Sequence, residues 1–204
     1  MRHSQEFDAL LDTLKIAVAK LRERDIPFLL GGSLAAWARG GPEPQNDLDL
    51  MLNPAHAEAT LSALAEVGMR TERPPEEWLY KAWRGNVMID LIFSPSGLEI
   101  TDEVFARADT IAVGAVATPV MGLEDLLVTM LCAIDEHTLD YSRLVAIARA
   151  LREQIDWPQL ETRTAHSPYA QAFFTLVRGL GIAPPHRRGR HPAGSRVRVL
   201  PSAG

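Results

Sequence analysis

The hydrophobic pattern of the N-terminal half switches between helical and strand spacing. Apolar residues recur about every three to four positions over residues 5–24, which predicts an amphipathic opening helix. The apolar run at residues 26–32 ends in glycines and predicts a short buried strand, and residues 33–38 predict a helix with Ser33 at its N-terminus. Acid and leucine alternate over residues 47–52, so this segment predicts a strand that carries both acids on one face.

The pattern after this strand predicts a helix, two hairpins and a run of helices. A helix is predicted over residues 54–67, with Pro54 at its first position. Two apolar segments flank Gly85-Asn86, which is typical of an antiparallel hairpin over residues 78–93. A second small hairpin is predicted at residues 110–120. Helices are then predicted over residues 123–136, 140–154 and 167–180.

The predicted secondary structure therefore divides the chain into three parts. We expect a mixed α+β domain over residues 1–120 and a helical C-terminal region over residues 121–182. The tail, residues 183–204, is rich in Pro, Gly and Arg and predicts disorder.

The charge balance is uneven. The 204 residues include 21 Lys and Arg and 26 Asp and Glu, a net charge of −5, which argues mildly against a nucleic-acid partner. Residues 183–204, however, carry five arginines and no acid. This tail is the part of the chain that we expect to contact a phosphate backbone.

The cellular setting is inferred from what the sequence lacks. The single cysteine, Cys132, excludes a disulfide framework and a cysteine zinc cluster. The N-terminal residues have no apolar signal region, and no apolar stretch approaches the roughly 20 residues of a membrane span. We expect a cytoplasmic protein with no membrane partner.

Three aspartates are the candidate metal ligands. Asp47 and Asp49 point the same way from one predicted strand, and a protein tolerates such repulsion when a divalent cation lies between the carboxylates. Asp90 lies inside an otherwise apolar strand and needs a partner, which is a metal or an arginine such as Arg39. If the two strands are neighbours, the three acids can hold two Mg²⁺ ions about 4 Å apart, the arrangement used for phosphoryl and nucleotidyl transfer. Mn²⁺ would suit the same oxygen ligands.

The segment Gly31-Gly32-Ser33 supplies the other half of such a site. Glycines let a phosphate approach the backbone closely, and the amides at the start of a helix favour an anion. Ser33 offers one more hydrogen bond. We expect these three residues to bind the phosphates of a nucleotide.

Gly32, Ser33, Asp47, Asp49 and Asp90, in this order and on these elements, resemble the signature of the DNA polymerase beta superfamily of nucleotidyltransferases. The resemblance covers about residues 26–93. It implies a nucleotidyltransferase fold with a mixed sheet, Asp47, Asp49 and Asp90 as catalytic metal ligands, and Mg²⁺ as the cofactor.

Residues 121–151 are similar to the helical segment of the nucleotidyltransferase toxins of abortive-infection and MenAT toxin–antitoxin systems. Glu124, Asp125, Leu126 and Leu127 match the first part of that segment, and Asp140 falls at its later acid. Met130 and Leu139 stand where the family has lysine and arginine. Lys81, on the strand before Asp90, is our candidate for the missing positive charge at the triphosphate.

The resemblance implies a function that the residues alone do not. It implies transfer of nucleoside monophosphate from a nucleoside triphosphate to RNA, commonly the 3′ acceptor end of tRNA, with inhibition of translation and a cognate antitoxin protein as partner. Two alternatives stay open: an enzyme that adenylylates the hydroxyl of an antibiotic, and a degenerate fold that binds a nucleotide or a partner without turnover.

Overall fold

The computed structural model describes residues 5–44 and 47–185. Within them the chain forms eight α-helices and seven strands, with a short 3₁₀ turn at Pro54–His56. In chain order these elements are α1 (Gln5–Glu23), β1 (Leu29–Leu30), α2 (Gly32–Ala38), β2 (Asp47–Met51), α3 (Ala57–Glu66), β3 (Arg70–Glu72), β4 (Leu79–Arg84), β5 (Val87–Ile92), α4 (Asp102–Ala106), β6 (Asp109–Val113), β7 (Val116–Val120), α5 (Leu123–Cys132), α6 (Ser142–Leu151), α7 (Trp157–Arg163) and α8 (Pro168–Gly179).

The strands form one mixed sheet in the order β3-β4-β5-β2-β1-β7-β6. The pairs β2–β5 and β1–β7 are parallel, and the other four are antiparallel. Both predicted hairpins are present, as β4–β5 and β6–β7. The structure thus confirms the expected mixed α/β fold with a mixed sheet.

The two faces of the central strands differ in character. Leu48 and Leu50 of β2 and Ile89 and Leu91 of β5 are fully buried. Helices α1 and α3 pack against each other and against these strands. Because side chains alternate along a strand, Asp47, Asp49 and Asp90 lie on the opposite face.

The helices of the second half pack as a group beside this acidic face. Helix α5 contacts α7 and α8, and it also contacts α2, which follows the glycine turn. Apolar side chains from Phe7 to Ala183 belong to one continuous core. The proposed division at residue 120 stays a prediction.

One buried carboxylate joins α5 to the ends of α4 and α7. Asp125 in the first turn of α5 is 2% exposed. It accepts hydrogen bonds from Arg107 Nε at 2.9 Å and from Arg163 Nη2 at 2.5 Å, at the ends of α4 and α7. Its neighbour Glu124 accepts the backbone N–H of Asp156 at 2.9 Å. Both acids therefore make long-range contacts and do more than complement the helix dipole.

Several predicted boundaries were too generous. The strand expected over residues 26–32 is only Leu29–Leu30, because Pro27 has no N–H to donate to a strand ladder. Helix α5 ends at Cys132 rather than at residue 136. Asp135 accepts the N–H groups of His137 and Thr138 and closes a turn there.

Three short elements were missed, namely β3, α4 and α7. Nearly all of the tail predicted to be disordered, residues 186–204, lies outside the described residues. None of the helices that the structure describes is long and apolar enough to cross a membrane.

Candidate functional site

The register of the central strands brings the predicted acids together. Asp49 of β2 is the direct partner of Asp90 on the parallel strand β5. On the other side of β2, the Gly31 N–H donates to the Asp49 carbonyl at 2.8 Å. The glycine turn and the two acidic strands, which are distant in sequence, therefore meet at one point of the sheet.

Asp49 carries the most perturbed carboxyl of this group. Asp49 lines the cleft. Loss of hydration, and after it the nearby carboxylates of Asp47 and Asp90, raise the pKa of its carboxyl from 3.8 to about 7. Lys81 and Arg143 oppose this rise. The balance leaves unneutralised negative charge, which a bound cation would relieve.

Gly32 lies directly against the Asp49 carboxylate. A Cβ at position 32 would lie 1.6 Å from Asp49 Oδ2, and the φ of Gly32 is +56°. Both the close approach and the left-handed backbone require glycine here. A Cβ at Gly31 would lie 2.6 Å from Met51 Cε, so the turn is closely packed at both glycines.

We predict that Gly32→Ala impairs catalysis more than stability. The added methyl must displace the Asp49 carboxylate, and a misplacement of about 1 Å costs about 100-fold in rate. The unfavourable φ costs about 1–2 kcal/mol of stability. Steady-state kinetics and urea unfolding measure the two effects. Gly85→Ala is the control, because it shares a positive φ and has no atom within 4 Å of the added Cβ. Equal losses in both variants would contradict the prediction.

Ser33 is buried in the first turn of α2. The helix begins at Gly32, and its N-cap residue is Gly31, which has no side chain to cap with. The expectation that Ser33 starts the helix is therefore off by one residue. Ser33 lies beside the acids without being the cap.

Lys81 is bonded to Asp90 rather than directed to an open phosphate site. Its Nζ lies 2.7 Å from Asp90 Oδ1, and both side chains are largely buried. The sequence held a signal for this pair: the two-residue turn Gly85-Asn86 fixes the hairpin register, which places Lys81 opposite Asp90. The alternative partner, Arg39, binds instead to Asp109 and to the Met121 carbonyl.

A cleft of about 650 Å³ opens over the acids, between the sheet and helices α5 and α6. The predicted site residues on its wall are Gly32, Ser33, Asp47, Asp49 and Asp140. Among the described residues, Gly31, Lys81 and Asp90 are not on this wall. The structure thus brings five of the eight predicted residues to one cavity, and the other three do not line it.

Asp140 has a structural role at the rim of the cleft. Its Oδ1 accepts the Ser142 N–H at 2.8 Å, and this contact with Ser142 lowers its pKa. It therefore fixes the start of α6 while it faces the cavity. Whether it also contacts a nucleotide stays a prediction.

Two residues of the cleft were not expected from the sequence. Arg143, the second residue of α6, lines the cavity with the acids and lowers the pKa of Asp49. Trp78, just before β4, is 44% exposed and presents its ring to the cavity. Neither residue belongs to a local sequence motif. Arg143 reaches the cleft through the packing of α6, and Trp78 through the position of the segment that precedes β4.

The donor set suits a hard divalent cation at Asp47 and Asp49. The Oδ1 atom of Asp47 is buried and has no hydrogen-bond partner in the described part of the chain. Carboxylate oxygens are the ligands that Mg²⁺ prefers. The described residues contain no group of three or more His, Cys, Asp or Glu side chains already arranged around a metal. Asp90 as the third ligand therefore stays a prediction.

The raised pKa of Asp49 predicts an unusual dependence of stability on pH. Without divalent ions, the folded protein keeps this proton up to about pH 7, whereas the unfolded chain loses it near pH 3.8. The free energy of unfolding should therefore fall as pH rises through this interval. Melting temperatures in EDTA, compared between wild type and Asp49→Asn, isolate the effect. If the difference in melting temperature between the two proteins did not change with pH, this prediction would be wrong. Mg²⁺ should stabilise the wild type more at pH 8 than at pH 5.

The chain is similar to known proteins in sequence and in fold. Residues 6–179 match a family model described as an uncharacterised nucleotidyltransferase. No curated protein matches the chain. The solution structure of the antibiotic-resistance factor ANT(2'')-Ia resembles it with a TM-score of 0.61 and 14% identity, over 87% of this chain and 99% of that one. The crystal structure of ANT(2'')-Ia in complex with adenylyl-2''-tobramycin gives a TM-score of 0.53 and 16% identity, over 78% and 96%.

Proposed function

Because this chain belongs to the family of uncharacterised nucleotidyltransferases, we propose that it transfers a nucleoside monophosphate from a nucleoside triphosphate to a hydroxyl group. The hydroxyl oxygen bonds to the α-phosphorus, the bond from this phosphorus to the oxygen that bridges the α- and β-phosphates breaks, and pyrophosphate leaves. The observation that carries this proposal is the contact between Gly32 and Asp49, which joins the turn that we propose for the phosphates to the strand that we propose for the metal.

The predicted residues on the cleft wall, and Asp90 and Lys81 beside it, have proposed parts in this reaction. Asp47 and Asp49 hold Mg²⁺, with Mn²⁺ as a substitute. The metal, when bound, polarises the phosphate oxygens and neutralises charge on the leaving group. Gly32 and Ser33 face the triphosphate. Asp90 orients the attacking hydroxyl and accepts its proton, and Lys81 holds Asp90 in place through the 2.7 Å contact.

The charge of the cleft favours a small acceptor. Asp47, Asp49, Asp135 and Asp140 line it, and Arg143 is the one basic side chain on its wall among the residues described. With Mg²⁺ on Asp47 and Asp49, the acids that remain on the wall are Asp135 and Asp140. Their charge favours a neutral or cationic acceptor that carries hydroxyl groups over a polyanionic one. Trp78 offers an apolar ring to a sugar or a base. The ANT(2'')-Ia complex, which contains adenylyl-2''-tobramycin, is a precedent on the same fold. We therefore place the hydroxyl of an aminoglycoside-like compound first.

RNA is the second candidate acceptor. It is favoured by the five arginines and the absence of acids in residues 183–204, and by the resemblance of the helical segment to tRNA-modifying toxins. In this version the acceptor is the 3′ end of tRNA, translation is inhibited, and a cognate antitoxin protein neutralises the enzyme. The third alternative is a module that binds a nucleotide and has no turnover.

One labelling experiment separates these functions. The protein is incubated with each α-³²P nucleoside triphosphate and Mg²⁺, together with either total tRNA or a panel of aminoglycosides. Label in an aminoglycoside supports the first acceptor, and label in tRNA supports the second. No label in any mixture, with nucleotide binding intact, would reject the enzymatic proposal in favour of a binding module. Asp49→Asn must abolish any label.

A further inference from the structure

The cleft lacks positive charge at the positions where the sequence leads us to expect it. Met130 and Leu139 replace the two basic residues of the toxin-like segment. Lys81, the remaining candidate, is held by Asp90. A nucleoside triphosphate is strongly anionic, and metal ions on the aspartates alone would leave its outer phosphates without a protein cation.

Arg143 is a cation that no acid binds within the part of the chain that the structure describes. Its Nε is buried and has no hydrogen-bond partner within residues 5–44 and 47–185. Its Nη2 makes one long contact, 3.4 Å, to the Glu43 carbonyl. At that distance the bond is weak. The described part of the chain offers Arg143 no ion pair, although the partly buried arginines Arg39 and Arg163 are both paired with carboxylates.

Arg143 lies on the wall of the cavity in which the triphosphate is proposed to bind. Arg143 lines the same cavity as Gly32, Ser33, Asp47 and Asp49. Burying a hydrogen-bond donor without a partner costs free energy. Anchoring α6 to the Glu43 segment does not require this cost, so the buried Nε indicates a further role for Arg143.

We infer that Arg143 binds the triphosphate of the incoming nucleotide and so supplies the cation that Met130, Leu139 and Lys81 do not. The planar guanidinium donates two parallel hydrogen bonds to phosphate oxygens, which a lysine cannot do. This inference rests on the proposed function, because it assigns a role in that same site.

The test is the binding of inorganic tripolyphosphate in the presence of Mg²⁺, measured by calorimetry. We expect Arg143→Gln to weaken this binding by about tenfold to a hundredfold, the range for hydrogen bonds to charged groups. Arg143→Lys should be intermediate, since it keeps the charge and loses the paired geometry. Adenosine monophosphate should lose much less affinity than tripolyphosphate. Arg149→Gln on the exposed side of the same helix is the matched control and should bind as wild type does.

The outcomes separate this inference from the proposed function. If Arg143→Gln binds tripolyphosphate as tightly as wild type while the wild type transfers label, the role of Arg143 is wrong and the function stands. If tripolyphosphate binding depends on Arg143 but no label is transferred, the function is wrong and the anion site stands. Arg143→Met, which keeps the apolar stem, replaces Arg143→Gln if the latter does not melt cooperatively.

Discussion

Asp49→Asn should lower kcat for nucleotidyl transfer at least about a thousandfold and should not destabilise the protein. The substitution keeps the shape that packs on Gly32 and removes a charge that a metal ligand needs. In metal-free buffer at pH 8 it also relieves repulsion from Asp47 and Asp90. We expect a gain of about 1–3 kcal/mol, below the full value of the pKa shift because part of the side chain faces the cleft.

Single-turnover kinetics and urea unfolding in EDTA measure these two effects on the same variant. Asp102→Asn, the same chemical change at the exposed start of α4, is the control and should alter neither. If Asp49→Asn retained a tenth of wild-type activity, the assignment of Asp49 as a metal ligand would be wrong. A large loss of stability would instead mean that its carboxylate is satisfied in the folded protein.

Asp125→Ala should have the opposite profile, with a loss of stability of about 3 kcal/mol and with its effect on activity following from that loss. The substitution leaves Arg163, whose side chain is 26% exposed, without its carboxylate, and it cuts the link between α4 and α7. The loss is at the lower end for a buried pair because Arg107 is 49% exposed and can return to water.

Urea unfolding with Glu124→Gln as the control tests this second prediction. The glutamine oxygen can still accept the Asp156 N–H, so the control should change stability by less than about 1 kcal/mol. If Asp125→Ala were as stable as this control, the two arginines would be solvated and the bridge would contribute little. A folded Asp125→Ala with no activity would instead indicate a direct part in the site.

The elements that the sequence predicted best have long periodic patterns or turn residues at fixed spacing. Helix α1 shows helical periodicity over 19 residues, and the β4–β5 hairpin has its turn residues at Gly85-Asn86. Helix α7 was missed because seven residues hold too few apolar positions for a period to emerge. Strand β3 was missed because Arg70–Glu72 is short, polar and at the edge of the sheet, where no alternation is required.

The candidate site likewise has residues that the sequence predicts and residues that it does not. Gly32, Asp47 and Asp49 could be identified because local spacing places them on a turn and on one face of a strand. Lys81 was predicted at the triphosphate, whereas the hairpin register that follows from Gly85-Asn86 places it opposite Asp90. Arg143 could not have been found from spacing, since its place in the cleft depends on how α6 packs against the sheet unit.

The pairing of Asp49 with Asp90 has a consequence for folding fidelity. A slip of β5 by one residue against β2 would turn Asp90 to the other face, among Leu48 and Leu50 beneath α1 and α3. Lys81 would have to follow it or leave an unpaired charge in the apolar interior, at a cost of several kcal/mol. A shifted register of β5 is therefore disfavoured, and the same register that buries Ile89 and Leu91 places Asp90 beside Asp49.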